Sequence, residues 1–418
     1  MKYLAVLGRQ PEISIAELES ISGVEWHELP SSGRVAAARR HGGGALTLAL
    51  PGSGMPSEGN SMPLNIDRLG GVMKLAVELE GKALDYLLKL PEGKLTIGVS
   101  DCSEKASRSS AQQEALKLKR VLVKQGRSVR VVENKEAVLS TATSLHNGLS
   151  GKNERKIELI KVNNDWYRVI GVQDIDAYAR RDQARPARDA KVGMLPPKLA
   201  QILINLCGPL KPGSVVLDSF CGTGVVLQEA LLMGYKAYGT DINERMIEYS
   251  KKNLEWLSDN SKRLFSGSGP SRPSSRGSGP NSRQQPPKYP ENNFFELSQG
   301  DATSFQWEQP IDAVACEGYL GKPFSKIPTE MELKEQKQEC EAIILGFLKN
   351  LARQIKKDTP VVIAMPAWLR ENGEHSRLDI LDKIEELGYN VDNKSHEGLL
   401  YYREKQIMAR DILILRKK

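Results

Sequence analysis

Apolar and polar positions divide the chain into alternating strand-like and helix-like segments. Short apolar runs such as YLAVL (3–7) and KLTIGVS (94–100) predict buried strands, whereas apolar residues three or four apart within 111–125 predict an amphipathic helix. An S-x-x-E capping box at Ser14 and Glu17 predicts the start of the first helix. From residue 214 onward strands and helices alternate, which predicts an α/β domain with a mostly parallel sheet and a final pair of strands in YYREKQIMARDILILRKK.

Turn-rich and low-complexity stretches separate these elements into domains. We predict a ferredoxin-like α+β domain at 1–82, a second α+β domain at 83–175, an Arg-rich linker at 176–197 and a third domain at 198–418. The third domain is interrupted by SGSGPSRPSSRGSGPNSRQQPPKYP, which is rich in Ser, Gly and Pro. Such a stretch buries too little apolar surface to offset its ordering entropy, so we predict a disordered insertion at 259–292.

Composition narrows the class of protein only moderately. The 418 residues carry a net charge of +7, a mild basic excess that is compatible with a nucleic-acid partner. Five scattered cysteines without a C-x-x-C pair argue against a disulfide framework and against a metal site, and reduced thiols suit the cytoplasm. No apolar stretch approaches the roughly 20 residues of a membrane span, so we expect a cytoplasmic protein with no membrane partner.

The segment 214–241 holds the most informative pattern, a strand followed by a glycine-rich turn and a helix. The strand ends at Asp218, and Gly222 and Gly224 allow a ligand to approach the backbone without a Cβ in the way. The turn lacks the G-x-G-x-x-G spacing of dinucleotide sites, and an acid at the strand end would repel pyrophosphate. Asp218 instead suits an ammonium group, such as the amino-acid end of S-adenosylmethionine.

Two further acids follow at the ends of the next predicted strands. Asp241 lies where a carboxylate accepts both ribose hydroxyls in this type of fold. Asp301, in GDA, would accept a hydrogen bond from an adenine amino group. Either residue alone would be read as a turn or helix-cap residue. Three acids in order at successive strand ends together predict a nucleoside cofactor.

These motifs resemble those of a known family. DSFCGTG, GTD and GDA are similar to the first three motifs of class I S-adenosylmethionine-dependent methyltransferases, and this resemblance adds Phe220, Ile242 and Ala302 to the cofactor-binding set. RPARDAKVGMLPPKLAQILINL resembles the linker and first helix of THUMP-domain tRNA guanine-N2 methyltransferases. Segments 1–82 and 83–175 resemble their N-terminal and THUMP domains. The resemblance implies a Rossmann-like class I methyltransferase domain with a C-terminal antiparallel hairpin, preceded by two α+β domains.

The same resemblance implies a substrate and a reaction. The two α+β domains would bind tRNA, and the catalytic domain would methylate the exocyclic N2 of a guanine near the D-arm junction, after the base leaves its stack. A basic set on and after the helix at 111–125 is the candidate RNA surface: Lys117, Arg120, Lys124, Arg127 and Arg130. A solubilising face is the alternative for these five residues.

The fourth motif departs from the family pattern. Related amine methyltransferases carry D-P-P-Y or N-P-P-Y, whereas this chain has Cys316-Glu317-Gly318-Tyr319. Tyr319 would stack on the flipped base. Glu317 would replace the missing acid if the loop is one residue shorter than in the family. In an alignment without a gap, Cys316 takes the place of the acid instead. A third alternative is that Glu317 faces solvent and has no role in the site.

Cys316 also invites a second chemistry, a thiolate nucleophile for carbon-5 methylation of a pyrimidine. The preceding run AVA is apolar and no basic neighbour is visible, so a buried packing residue is favoured. Cys221, within the glycine-rich turn, is read in the same way.

Two other functions stay open. A DNA amine methyltransferase would use the same catalytic fold, although the THUMP-like half argues against DNA. A non-catalytic RNA-binding protein with a degenerate site would explain the fourth motif, although the cofactor acids argue against it.

Overall fold

The computed structural model describes residues 2–29, 35–39, 64–189, 194–265, 294–392, 398–404 and 406–418. These residues form two compact units, with the border after Ile175. Among them, no helix combines the length and the apolar composition that crossing a bilayer requires.

The first unit is an α+β structure built on one sheet. Its strands are β1 (Lys2–Leu7), β2 (His27–Glu28), β3 (Val35–Arg39), β4 (Val72–Glu78), β5 (Leu95–Asp101), β6 (Val129–Val131), β7 (Lys156–Val162) and β8 (Asp165–Val172). Its helices are α1 (Pro11–Ser22), α2 (Ala83–Leu88), α3 (Arg108–Lys124) and α4 (Thr141–His146), with a short 3₁₀ helix at Ile66–Arg68. The eight strands follow the order β2-β3-β1-β4-β8-β7-β5-β6. Strands from both sides of residue 82 therefore share one sheet, and a division into two domains there stays a prediction.

The prediction of a capping box at the start of the first helix is wrong. Helix α1 begins at Pro11, because proline lacks an N–H group and suits a first helical turn, so Ser14 and Glu17 lie inside the helix. The Ser14 hydroxyl donates to the carbonyl of Gly71 at 2.8 Å, and the Glu17 carboxylate accepts the N–H groups of Gly70 and Gly71, both at 2.8 Å. The two side chains thus fix the loop before β4 and do not cap a helix.

A buried ion pair crosses the sheet of the first unit. The ammonium group of Lys74 on β4 lies 2.5 Å from the Glu158 carboxylate on β7 and donates to the carbonyl of Leu139 at 2.6 Å. The hydroxyls of Ser100 and Ser144 donate to the same carboxylate at 2.7 and 2.6 Å. Both charges are buried, and hydrogen bonds within the protein satisfy them.

The second unit contains the predicted α/β domain. Its helices are α5 (Ile175–Gln183), α6 (Pro197–Leu206), α7 (Val225–Leu232), α8 (Glu244–Phe265), α9 (Glu330–Leu351) and α10 (Leu381–Glu386). Its strands are β9 (Val215–Asp218), β10 (Lys236–Asp241), β11 (Phe295–Gln299), β12 (Ala313–Glu317), β13 (Pro360–Leu369), β14 (His375–Ser376), β15 (Tyr389–Val391), β16 (Leu400–Tyr401) and β17 (Met408–Lys417).

The nine strands form one mixed sheet with the main order β11-β10-β9-β12-β13-β17-β15. Neighbours from β11 to β13 are parallel, whereas β17 runs antiparallel to both β13 and β15. This confirms the predicted mostly parallel sheet with an antiparallel C-terminal part. The chain leaves β9 on one side towards β10 and later returns to β12 on its other side, so the carboxyl end of β9 is a topological switch point. Ligands bind at such points in open α/β sheets.

Two segments differ from the expected boundaries. The predicted linker contains α5, whose Arg181 donates to Glu229 on α7 at 2.7 Å, so this stretch packs on the α/β domain. Helix α8 extends to Phe265, so the first part of the predicted disordered insertion is helical. The remainder of that prediction, 266–292, lies outside the described residues.

Candidate active site

Asp218 ends β9 at the switch point, where its side chain is almost fully buried. Its Oδ1 accepts the N–H of Phe220 at 3.2 Å, which closes the turn after the strand. Burial raises the pKa of Asp218 well above the usual range, and repulsion from Asp241 and Glu317 raises it further. The predicted acids at the ends of β9, β10 and β12 therefore lie on three neighbouring parallel strands, at one edge of the sheet.

Asp241 ends β10 and spans the glycine-rich turn. One carboxylate oxygen accepts the N–H of Gly222 and the other accepts the N–H of Asn243, both at 2.9 Å. Burial nevertheless raises the pKa of Asp241, because the two hydrogen bonds offset only part of the loss of water. Each oxygen keeps a second lone pair for a ligand, as binding of two ribose hydroxyls requires.

The two glycines of the turn have different reasons to be glycine. Both have positive φ, +51° at Gly222 and +80° at Gly224. A Cβ built on Gly222 would come no closer than 4.0 Å to any neighbouring atom, so this position faces open space beside Asp241. A Cβ on Gly224 would lie 2.8 Å from the Ser250 hydroxyl of α8. The space at Gly222 is thus open, as a ligand cradle requires, whereas Gly224 packs against α8, and cofactor binding at both glycines stays a prediction.

Asp301 follows β11, the strand next to β10, and is exposed. Its Oδ1 accepts the backbone N–H and the hydroxyl of Thr303 at 2.9 and 2.8 Å. The N–H of Gly300 donates to the carbonyl of Asp241 at 3.0 Å, which joins the two strand ends. Asp301 therefore sits at the same edge as Asp241 and also caps its own turn.

The three apolar residues of the predicted cofactor set have different environments. Ile242 is 67% exposed directly after Asp241, which is a high exposure for a large apolar side chain. Phe220 packs edge-on against Phe347 with ring centroids 5.1 Å apart. Ala302 is buried and its carbonyl accepts a hydrogen bond from Asn350. Ile242 and Phe220 can border a ligand ring, whereas Ala302 holds the loop through its backbone.

Glu317 and Tyr319 lie at the end of β12, next to β9 in the sheet. The Glu317 carboxylate accepts a hydrogen bond from Nε of Arg410 on β17. The Tyr319 hydroxyl donates to Glu339 on α9 at 2.9 Å, and burial together with this acid raises the pKa of Tyr319 to about 12. Sequence reasoning missed Arg410, because no motif links it to Glu317 across the intervening chain.

The cysteines near the site are packing residues, as predicted. Cys316 and Cys221 are buried, and burial raises the pKa of both thiols well above the usual range. A buried thiol with a raised pKa gives little thiolate at neutral pH.

The basic set of the first unit divides into bound and free cations. Lys117 pairs with an acid one turn earlier on α3, and Arg130 donates to the side chain of an asparagine. Arg127 donates to two backbone carbonyls in the loop after α2. Arg120 and Lys124 are exposed and form no ion pair or hydrogen bond within the described part of the chain. The guanidinium of Arg127 is therefore held by the fold, and RNA contact by the five residues stays a prediction.

Known proteins resemble limited parts of this chain. A family model described as DNA methylase matches residues 143–252. The tRNA (guanine(10)-N2)-dimethyltransferase of Methanothermobacter thermautotrophicus is 46% identical over 76 residues, which cover 18% of this chain and 22% of that protein. The enzyme of the same name from Methanocaldococcus jannaschii is 31% identical over 130 residues, covering 31% of this chain and 36% of that protein. The matched parts thus span little more than a third of these relatives at most.

A solved structure resembles the whole chain more loosely. TrmN from Thermus thermophilus covers 100% of both chains with 14% sequence identity and a TM-score of 0.47.

Proposed function

We propose that this chain is an S-adenosylmethionine-dependent methyltransferase that modifies the exocyclic N2 of a guanine in tRNA. The observation that carries the proposal is the position of Asp218 and Asp241 at the carboxyl ends of two adjacent parallel strands, at the switch point of the sheet, with Asp241 accepting the N–H of Gly222 from the turn. The names of the partial relatives suggest guanine 10 as the target.

The donor set suits this cofactor. Asp218 is a buried acid whose negative charge a cationic amino-acid end would stabilise, and Asp241 would accept the ribose hydroxyls. Asp301 would accept the adenine amino group, with Ile242 and Phe220 beside the ring. The cofactor supplies an electrophilic methyl group, and the acids of the protein bind and orient it.

Catalysis at the amine would be largely positional. The target guanine would leave its stack, as a base must when an enzyme modifies it. Glu317 would accept an N–H of the amine, and the ring of Tyr319 would stack on the base. Holding the nitrogen lone pair in line with the methyl group would favour direct transfer, in which the N–C bond forms as the S–C bond breaks, the thioether product leaves and the amine loses one proton to solvent.

The first unit would bind the tRNA in the cytoplasm. This part of the proposal includes the division into an N-terminal domain at 1–82 and a THUMP-like domain at 83–175. Exposed cations on α3 support it, above all Arg120 and Lys124, whose charges are not neutralised within the described part of the chain. Phosphate contacts of this kind position an RNA without identifying the base.

A DNA amine methyltransferase is the second candidate. It is favoured by the match of residues 143–252 to a DNA methylase model. A non-catalytic RNA-binding protein is favoured only by the absence of both prolines from the fourth motif.

Transfer of labelled methyl groups separates the three candidates. The protein would be incubated with labelled S-adenosylmethionine and tRNA, duplex DNA or single-stranded DNA, and digested nucleosides would be identified by mass spectrometry. We expect label in N2-methylguanosine or its dimethyl form, from tRNA alone. Labelled adenine or cytosine in DNA with silent tRNA would replace the proposal with the second candidate. Tight tRNA binding without transfer to any substrate would favour the non-catalytic one.

A further inference from the structure

The loop after β12 lacks the two prolines that the resemblance leads one to expect, yet contacts from other elements fix it. The N–H of Gly318 donates to the carbonyl of Ala364 on β13 at 2.9 Å. The Tyr319 hydroxyl donates to Glu339 on α9 at 2.9 Å. Backbone and ring are thus held by neighbours in the fold, which leaves the orientation of the Glu317 side chain to be explained.

A single cation from the C-terminal strand holds that side chain. Arg410 lies on β17 opposite Pro366 of β13, and its Nε donates to Oε1 of Glu317. The two side chains are only 12% and 18% exposed, so water competes weakly for this contact. Oε2 of Glu317 has no hydrogen-bond partner among the described residues. One oxygen of the carboxylate is therefore occupied and the other is available.

The charge of Arg410 also matters to the site as a whole. Asp218 lies close enough to Asp241 and Glu317 for these two acids to disfavour its ionised form, in addition to the effect of burial. Within the described chain, Arg410 is the one cation that forms an ion pair with any of the three. Like charges in one site repel each other and disfavour the ionised forms, and a paired cation reduces that repulsion.

We propose that Arg410 is a positioning residue, which holds Oε1 of Glu317 so that Oε2 accepts the N–H of the target amine. This inference rests on the proposed function, because it needs an amine substrate at Glu317. In the amine methyltransferases that carry D-P-P-Y or N-P-P-Y, the two prolines would fix the position of the acceptor. In this chain the ion pair between Arg410 and Glu317 would do so. A purely structural brace between β12 and β17 is the competing explanation.

Steady-state kinetics on four proteins test it: the wild type, Arg410→Gln, Arg410→Lys and Glu317→Gln. We expect Arg410→Gln to lower kcat about 10- to 100-fold, because misplacing an orienting group costs this much. The dissociation constant of S-adenosylmethionine should change by a smaller factor than kcat, because Arg410 pairs with Glu317 and with neither cofactor acid, and Tm should change by less than about 3 °C. Arg410→Lys should recover part of kcat, since lysine keeps the charge but loses the planar fork.

A double variant shows whether Arg410 acts through Glu317. If it does, Glu317→Gln combined with Arg410→Gln should be no slower than the slower of the two single variants. Fully additive losses, or an Arg410→Gln protein with the kcat of the wild type, would overturn the inference. Parallel losses of kcat, cofactor binding and Tm would show a structural brace instead.

The exposed pair between Arg370 and Glu330, 2.5 Å apart, provides the matched control. Arg370→Gln removes an ion pair from the same unit without touching the acids, and it should leave kcat unchanged. All ratios are taken with whichever polynucleotide the wild type methylates, so a DNA substrate would refute the tRNA assignment and still test Arg410. A wild type that methylates neither polynucleotide would refute both proposals.

Discussion

Two buried carboxylates, one in each unit, are treated in opposite ways by the fold. Glu158 in the first unit contacts a lysine ammonium group and two serine hydroxyls, all within 2.7 Å. Asp218 in the second unit accepts one backbone N–H at 3.2 Å and has acidic groups as its charged neighbours. The first carboxylate is satisfied by its own protein, whereas the second keeps unused capacity for a cation.

This difference separates a structural charge from a functional one. A buried charge is costly unless it is paired, so an unpaired one persists where a ligand completes it. Asp241 lies between the two extremes, because it accepts two backbone N–H groups and retains a raised pKa. The contrast predicts that removing the partner of Glu158 lowers the stability of the protein, whereas replacing Asp218 weakens ligand binding.

The largest expected effect is the loss of stability on breaking the buried ion pair between Lys74 and Glu158. Lys74→Met should lower the free energy of unfolding by about 3–5 kcal/mol, because it leaves a buried glutamate charge without its partner. Urea denaturation followed by circular dichroism measures the loss. The control is Lys2→Met, which removes the partly exposed pair with Glu78 on the same sheet and should cost about 1 kcal/mol or less. Equal losses in the two variants would contradict the distinction.

The pH dependence of cofactor binding tests the role of Asp218. The pKa of Asp218 is raised in the free protein, so a cationic ligand must displace a proton from it at low pH. Affinity for S-adenosylmethionine should therefore weaken by up to about tenfold for each pH unit below that raised pKa. The decline should begin at a higher pH than an ordinary aspartate would give.

Calorimetry in buffers of different ionisation heat measures the proton released on binding. Asp218→Asn should bind more weakly and lose most of this pH dependence. The stability of the ligand-free protein should change with pH in the opposite direction to the affinity. As the pH rises through the raised pKa of Asp218, the buried carboxyl group ionises and the free energy of unfolding decreases. Binding that is independent of pH in the wild type would show that Asp218 does not meet the cation.

Asp241 should give a smaller effect of the same kind. Asp241→Ala should weaken S-adenosylmethionine binding by about 1–3 kcal/mol, because the ribose hydroxyls lose their acceptor. Isothermal titration measures this change, and Asp301→Ala at the exposed neighbouring strand end serves for comparison. We expect the Asp301 variant to lose less, since a solvated hydrogen bond contributes less than a buried one. A reversed order would move the cofactor away from Asp241.

The sequence predicted the strand ends of the candidate site well, for a physical reason. Parallel strands place their carboxyl ends at one edge, so Asp218 and Asp241 could be assigned together from chain order alone. The start of α9 could also have been read, because Thr329 and Glu332 form the capping box that the structure shows there. Local chemistry of this kind is written in adjacent residues.

Contacts between distant segments could not be read in this way. The same capping-box spacing at Ser14 and Glu17 is used to bind the loop at Gly71, because that loop packs on the helix. The pairing of Arg410 with Glu317 depends on strand order, which brings β17 within reach of β12. Register and packing determine such partners, and neither is visible in one local motif.

The smallest expected effect extends the comparison to the cations of the first unit. Arg120 and Lys124 are exposed, whereas Arg127 donates to backbone carbonyls. Replacing Arg120 and Lys124 by glutamine should weaken tRNA binding severalfold and lower the salt dependence of log K by about 0.7–0.9 for each lost phosphate contact. Fluorescence anisotropy across a salt series measures both quantities. Arg127→Gln is the matched control, and it should lower Tm with little change in the salt dependence of log K. The opposite pattern would make Arg127 the RNA contact and would make Arg120 and Lys124 part of a solubilising face.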